Sequence, residues 1–220
     1  MNTLSGTNNR KNVIIFGDSY STFDDFVPEG YAVYYHTTPR AETDVTKVTQ
    51  TWWYPLCEEL SLNLVRNDSW SGSPVSFTGW DLVDCSETSS FIRRLEKLTD
   101  EGFFEENKID VVFAFGATND SWCGAPLGEL KLDNISREEL YSVCPAVAYF
   151  IKKLSETFPS ADVNYIMNTG LRDEISQAIR AACEKYGVRC IELHDIDKQC
   201  GHPTIAGMKS IKEQVKAAIL

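Results

Sequence analysis

Five short runs along the chain are dense in apolar side chains: residues 13–16, 62–65, 110–116, 163–167 and 188–193. The first, Val13-Ile14-Ile15-Phe16, has no polar member, which predicts a strand buried on both faces. The third, running through Val111, Val112, Phe113, Ala114 and Phe115, reads the same way. Between these runs the apolar positions recur at helical spacing. Residues 88–98 place Phe91, Ile92, Leu95 and Leu98 on one face. Residues 136–157 open on Ser136-Arg137-Glu138-Glu139, a capping box, and carry Leu140, Val143, Val147, Phe150, Ile151 and Leu154 as a stripe that Pro145 should kink. Residues 171–186 and 204–220 are two further amphipathic helices, and residues 51–60 a short one. Strands alternating with helices predict an α/β fold: three layers, doubly wound, with a five-stranded parallel sheet in flavodoxin-like order 2-1-3-4-5 and helices on both faces. Two stretches fit no element. Residues 66–74 form a turn-rich loop, and residues 20–50 a long aromatic one; a loop of that length inside a compact chain is usually functional.

In a parallel sheet every strand ends at the same edge, so the loops after the strands gather there, where ligands bind. Gly17, Asp18 and Ser19 come after the first strand, with Gly17 permitting a sharp bend. Gly72 comes after the second strand, Asn119 after the third, and His202 after the fifth. Acyl transfer needs a nucleophile, a base within hydrogen-bond reach, and donors aimed at the developing oxyanion. Ser19, His202 and the Gly72 N–H with the Asn119 amide supply one of each.

The chain has 220 residues, enough for one domain, 1–220, with a sizeable core. Its net charge of -11 argues against nucleic acid or an anionic membrane as a partner, since both call for basic patches. The polar stretch at residues 1–12 contains no apolar core of signal-peptide length, and no run approaches membrane-spanning length. Seven cysteines at irregular spacing, without C-x-x-C, read as reduced thiols in a cytoplasmic protein with no metal site. No G-x-G-x-x-G stands after the first strand, so the sequence points to no nucleotide or flavin cofactor.

Four short blocks, in order, resemble those of the SGNH (GDSL) hydrolases: Gly17-Asp18-Ser19-Tyr20, the stretch Asn67-Asp68-Ser69-Trp70-Ser71-Gly72, Gly116-Ala117-Thr118-Asn119-Asp120, and Gly201-His202-Pro203. The resemblance implies a serine esterase or acylhydrolase with Ser19 as nucleophile, His202 as base, and an oxyanion hole of Ser19 N–H, Gly72 N–H and Asn119. Asp18 would support the turn without acting chemically. Two positions depart from the pattern. Ala117 stands where the third block usually has glycine, a mild strain if the backbone there needs positive φ. Gln199 stands three residues before the histidine, where the family usually has its aspartate. Asp197 is then the first choice to orient His202, Asp195 the second, and a Ser-His dyad on a backbone carbonyl the third. Trp52, Trp53, Trp70, Trp80 and Trp122 fall in or near the site loops. With Tyr20, the indoles of Trp70 and Trp122 are candidate substrate contacts, and aromatic faces suit an O-acetylated saccharide. The alternative is a non-catalytic module of this fold that binds a carbohydrate or another small ligand.

Overall fold

The computed structural model describes residues 10–220. Most of the polar N-terminal stretch, residues 1–9, lies outside the described residues. Five strands, β1 (Asn12–Gly17), β2 (Asn63–Ser69), β3 (Val111–Gly116), β4 (Asp162–Met167) and β5 (Arg189–Glu192), form one parallel sheet in the order β2-β1-β3-β4-β5. Around them run α1 (Trp53–Glu59), α2 (Phe91–Asp100), α3 (Phe103–Glu106), α4 (Thr118–Trp122), α5 (Val143–Thr157), α6 (Asp173–Tyr186) and α7 (Ile205–Ile219). A two-stranded antiparallel hairpin, β6 (Lys198–Gln199) and β7 (His202–Pro203), precedes α7. Among the described residues no helix is long and apolar enough to cross a membrane.

The unbroken apolar run of β1 is explained by two cores, one on each side of the sheet. Ile14 and Phe16 join Val112, Ala114 and the inner faces of α2, α5 and α6. Val13 and Ile15 point the other way, into Phe113, Phe115, α1 and α7. A strand whose alternate side chains both meet apolar layers has no face left for polar residues.

Three expectations are revised. First, β2 continues through Arg66, Asn67, Asp68 and Ser69, where turn-rich composition suggests a loop. Asn67, Asp68 and Ser69 are buried but paired: Asp68 with the half-buried Arg66 and with Arg94, and Asn67 with Ser69 and the Ser21 carbonyl. Second, the capping box forms, with Glu139 and Ser136 bonded reciprocally, but it closes a single 3₁₀ turn at Glu138–Tyr141. The helix starts afresh at Val143 and runs through Pro145 unbroken, because the third helical residue needs no N–H acceptor. Third, Gly17 is required for space. A Cβ there would lie 2.3 Å from Ser69 Oγ and 2.6 Å from Ser21 Cβ.

Candidate active site

The sheet order reverses between β1 and β3, so a crevice opens beyond their carboxyl ends, where doubly wound folds bind ligands. Ser19 stands at one lip, in a 3₁₀ turn (Ser19–Ser21) that the Asp18 side chain caps by accepting the Tyr20 N–H at 3.0 Å. Asn119 stands at the other, in the first turn of α4. The preceding Ala117 has φ 72°, so the backbone does hold an alanine in the left-handed region that glycine prefers.

His202 reaches Ser19 from the hairpin. Cys200 (φ 48°) and Gly201 (φ 79°) form its two-residue loop, both left-handed, as a type I′ turn demands. His202 Nε2 lies 2.9 Å from Ser19 Oγ. Nδ1 lies 3.1 Å from the Cys200 carbonyl oxygen. A carbonyl only accepts, so Nδ1 carries the proton and Nε2 is the free acceptor for the serine hydroxyl. Burial pushes the imidazole below its ordinary pKa; the Cys200 carbonyl opposes this, and the cations Arg40 and Lys198 add to it. The ring is therefore neutral near pH 7, the state a general base requires.

Asp197, the expected partner of His202, is not brought to it. Its carboxylate accepts the Thr204 hydroxyl, and its carbonyl accepts the Thr204 N–H at 3.1 Å. Its main chain lies so close under α7 that a Cβ on Gly207 would sit 2.1 Å from the Asp197 oxygen. Asp195 faces His194 on the surface. Of the three groups expected behind His202, the structure places a backbone carbonyl, that of Cys200, against Nδ1.

Gly72 has φ 81°, with nothing near the position of a Cβ, so its turn calls for glycine by conformation. Two side chains of α4 fasten this loop. Asn119 Nδ2 donates to the Ser73 carbonyl at 3.0 Å, and the Asp120 carboxylate accepts the Val75 and Ser76 N–H groups at 2.8 and 2.9 Å. The Trp80 indole N–H donates to Asn119 Oδ1 at 3.1 Å. An indole can only donate, so this bond fixes the amide with its NH₂ toward Ser73.

Of the proposed substrate contacts, Trp122 is 40% exposed and edge-on to both Tyr20 and His202. Tyr20 itself is fully buried, so it is corrected from substrate contact to support: its hydroxyl donates to the Gly201 carbonyl, and its ring underlies His202. Trp70 packs on Tyr31, centroids 4.3 Å apart. Trp52 and Trp53 are core residues with no exposed surface.

Sequence reasoning missed Arg94. This buried guanidinium binds the Asp68 carboxylate (3.0 Å), the Gly17 carbonyl (3.1 Å), Ser73 Oγ (3.2 Å) and the Ser89 carbonyl (2.9 Å). It thereby ties the end of β1, the end of β2 and the Gly72 loop together. A signal was present: Arg94 lies three residues after Phe91 and four before Leu98, on the inward face of its helix. Its position places Trp80 near the site loops, but nothing in the sequence foretells its bond to Asn119. A cavity of about 680 Å³ between α2 and α5 is lined by Leu95, Glu96, Tyr149 and Phe150, and by none of Ser19, Gly72, Asn119 or His202. Among the described residues no cluster of His, Cys, Asp and Glu is arranged to hold a metal.

Comparison with known proteins places the chain in a family. The family model for GDSL-like lipase/acylhydrolase matches residues 11–219. A crystal structure described as a GDSL-like lipase from Bacteroides ovatus is 42% identical, with TM-score 0.87, covering 94% of this chain and 97% of that one. A second, from Bacteroides uniformis, is 41% identical with TM-score 0.87 over 96% and 95%. An acetyl xylan esterase from Butyrivibrio proteoclasticus shares the fold alone, at 16% identity and TM-score 0.58 over 94% of this chain and 62% of that one. No curated protein sequence matches. The chain belongs to the GDSL-like lipase/acylhydrolase family, hydrolases acting on esters.

Proposed function

We propose that this ester hydrolase works through an acyl-enzyme on Ser19 and that its substrate is a saccharide bearing an O-acetyl group. The observation that carries the chemistry is the 2.9 Å approach of His202 Nε2 to Ser19 Oγ at the sheet's switch point. His202 takes the serine proton as Oγ attacks the ester carbonyl carbon. The Ser19 and Gly72 N–H groups and Asn119 Nδ2 hold the resulting oxyanion. Collapse of the tetrahedral intermediate breaks the bond to the alcohol, which leaves with the proton from His202. Water, deprotonated by the same imidazole, then frees the acid and restores Ser19.

Two indoles support the saccharide reading. Trp122 is partly exposed beside His202, and Trp80, 46% exposed, beside Asn119. Both can offer an apolar face to a sugar ring at the point of attack. The fold shared with an acetyl xylan esterase agrees at the level of analogy. The test is hydrolysis of p-nitrophenyl acetate, butyrate and octanoate beside acetylated and deacetylated xylo-oligosaccharides. Acetate release from both the aryl ester and the acetylated sugar is expected. Turnover confined to the long acyl chain refutes the substrate assignment, and saccharide binding without hydrolysis refutes the enzymatic one.

A further inference from the structure

In a serine hydrolase the group behind the histidine has two tasks. It fixes the tautomer and the ring orientation, and it stabilises the imidazolium formed in the transition state. Here the Cys200 carbonyl sets the tautomer, but it carries no full charge. The groups around the ring are aromatic. Tyr34 lies flat on the His202 imidazole, with centroids 3.5 Å apart and planes within 7°. Tyr20 tilts against it at 5.4 Å, while Trp122 and Tyr35 stand edge-on at 5.8 and 6.4 Å.

Tyr34 and Tyr35 come from the long loop at residues 20–50, and that loop grips the histidine hairpin and the start of α7 at further points. The Tyr35 hydroxyl donates to the Pro203 carbonyl at 2.9 Å. The Ala41 carbonyl accepts from Gln199 Nε2 at 2.6 Å, and the Asp44 carboxylate accepts the Ile205 N–H at 2.9 Å. The loop is also tied to itself and to the serine turn: Thr22 Oγ1 accepts the Tyr34 N–H at 2.9 Å, and the Tyr35 carbonyl accepts the Asp24 N–H at 3.2 Å.

We propose that, beside the Cys200 carbonyl that sets the tautomer, the 20–50 loop takes over the ring-orienting and charge-stabilising work of the absent carboxylate, with Tyr34 as the positioning residue that fixes the His202 ring plane and places a π face against the imidazolium. This inference rests on the Ser19–His202 reading above. The groups facing His202 from each element fit it. The loop brings Tyr34, Tyr35 and Arg40, whose guanidinium lies 4.9 Å from the Tyr34 ring centroid. The serine turn brings Ser19 and Tyr20; the hairpin brings Cys200 and Lys198, the latter 5.5 Å over Tyr20; α4 brings Trp122. The charged members are both cations, which oppose a positive imidazole. The negative faces of Tyr34 and Tyr20 are therefore, with the Cys200 carbonyl, the contacts that favour it.

The experiment compares wild type, Tyr34→Phe and Tyr34→Leu by steady-state kinetics across pH and by NMR titration of ¹³C-labelled histidine. Phenylalanine keeps the π face, so kcat should stay within about twofold of wild type. Leucine covers the ring from water without a π face. It should lower kcat by about tenfold with KM little changed, and move the His202 titration down by about half to one pH unit, the scale of one such contact. In the wild type itself, the stacked ring should shift the His202 Cε1 proton upfield of free histidine. An unshifted proton, a leucine variant with wild-type kcat and titration, or a phenylalanine variant as impaired as the leucine one overturns the proposal. A wild type that hydrolyses no ester would instead sink the parent reading, while the NMR titration would still judge the stack.

Discussion

At the scale of single residues, reactivity depends on what each polar side chain at the crevice faces. Asn119 spends one N–H on Ser73 and has its oxygen held by Trp80, which leaves the second N–H for the oxyanion in the proposed mechanism. Asn119→Ala should therefore cut kcat by about 10²–10³ with little change in KM, because the bond forms chiefly in the transition state. A rise in KM at constant kcat would make Asn119 a ground-state binding residue instead. Asp197 faces Thr204 rather than His202. Asp197→Asn should accordingly keep kcat within a few-fold of wild type, whereas an orienting carboxylate would make it fall by about 10⁴; a steady-state assay separates the two. Ser19, Gly72, Asn119 and His202 were legible because each lies shortly after a strand and matches a block. The partner of His202 was not. Spacing points to an aspartate, but the I′ turn at Cys200 and Gly201 folds the chain so that a carbonyl reaches Nδ1 first. Which group meets a ring nitrogen depends on turn geometry that residue order does not encode.

Among the elements, the apolar strands and amphipathic helices were legible, and so was the sheet order, because burial on two faces leaves a periodic record. The far half of β2 was not. Asn67, Asp68 and Ser69 look like turn residues, and only partners distant in sequence make them a strand. Residues 20–50 gave no periodicity to read; their structure comes from gripping the hairpin. Arg94 shows what such cross-element partners contribute. It is 1% exposed, and it neutralises the fully buried Asp68 while bonding Gly17 and Ser73 on two other segments. Arg94→Met would leave Asp68 with only the part-exposed Arg66 as a counter-ion, a loss of about 3–5 kcal/mol by the usual cost of breaking a buried pair. Urea unfolding measures it; a loss under about 1 kcal/mol would mean that Asp68 is satisfied without Arg94.

For the whole molecule, stability should depend on pH through Asp18. Burial pushes its carboxyl up to about 7 from the ordinary 3.8, and Asp120 adds to the rise, while the Tyr20 N–H and Arg94 oppose it. Among the described residues its Oδ2 has no hydrogen-bond partner, so no donor there offsets the cost of burying a charge. The folded protein thus keeps a proton that the unfolded chain releases above about pH 4, so stability falls as pH rises from there toward 7. The full fall is about 4 kcal/mol, roughly three pH units at about 1.36 kcal/mol each. Carboxylates pushed down, such as Glu59 and Asp110, act in the opposite sense but only below their ordinary values of 4.5 and 3.8; His202, pushed down, also opposes the fall as pH rises toward its ordinary 6.5, while Asp120, pushed up by burial, adds to it. Wild-type Tm should therefore decline between about pH 5 and 7, and Asp18→Asn should flatten the decline; equal slopes would contradict this. The same molecule carries the central claim, that Ser19 paired with His202 is the nucleophile of an ester hydrolase. The direct measurement is reaction of the intact protein with a fluorophosphonate probe, followed by mass spectrometry of its peptides. One adduct per chain is expected, on Ser19, and absent from Ser19→Ala with folding retained. No adduct on the wild type, or labelling that persists in Ser19→Ala, would contradict it.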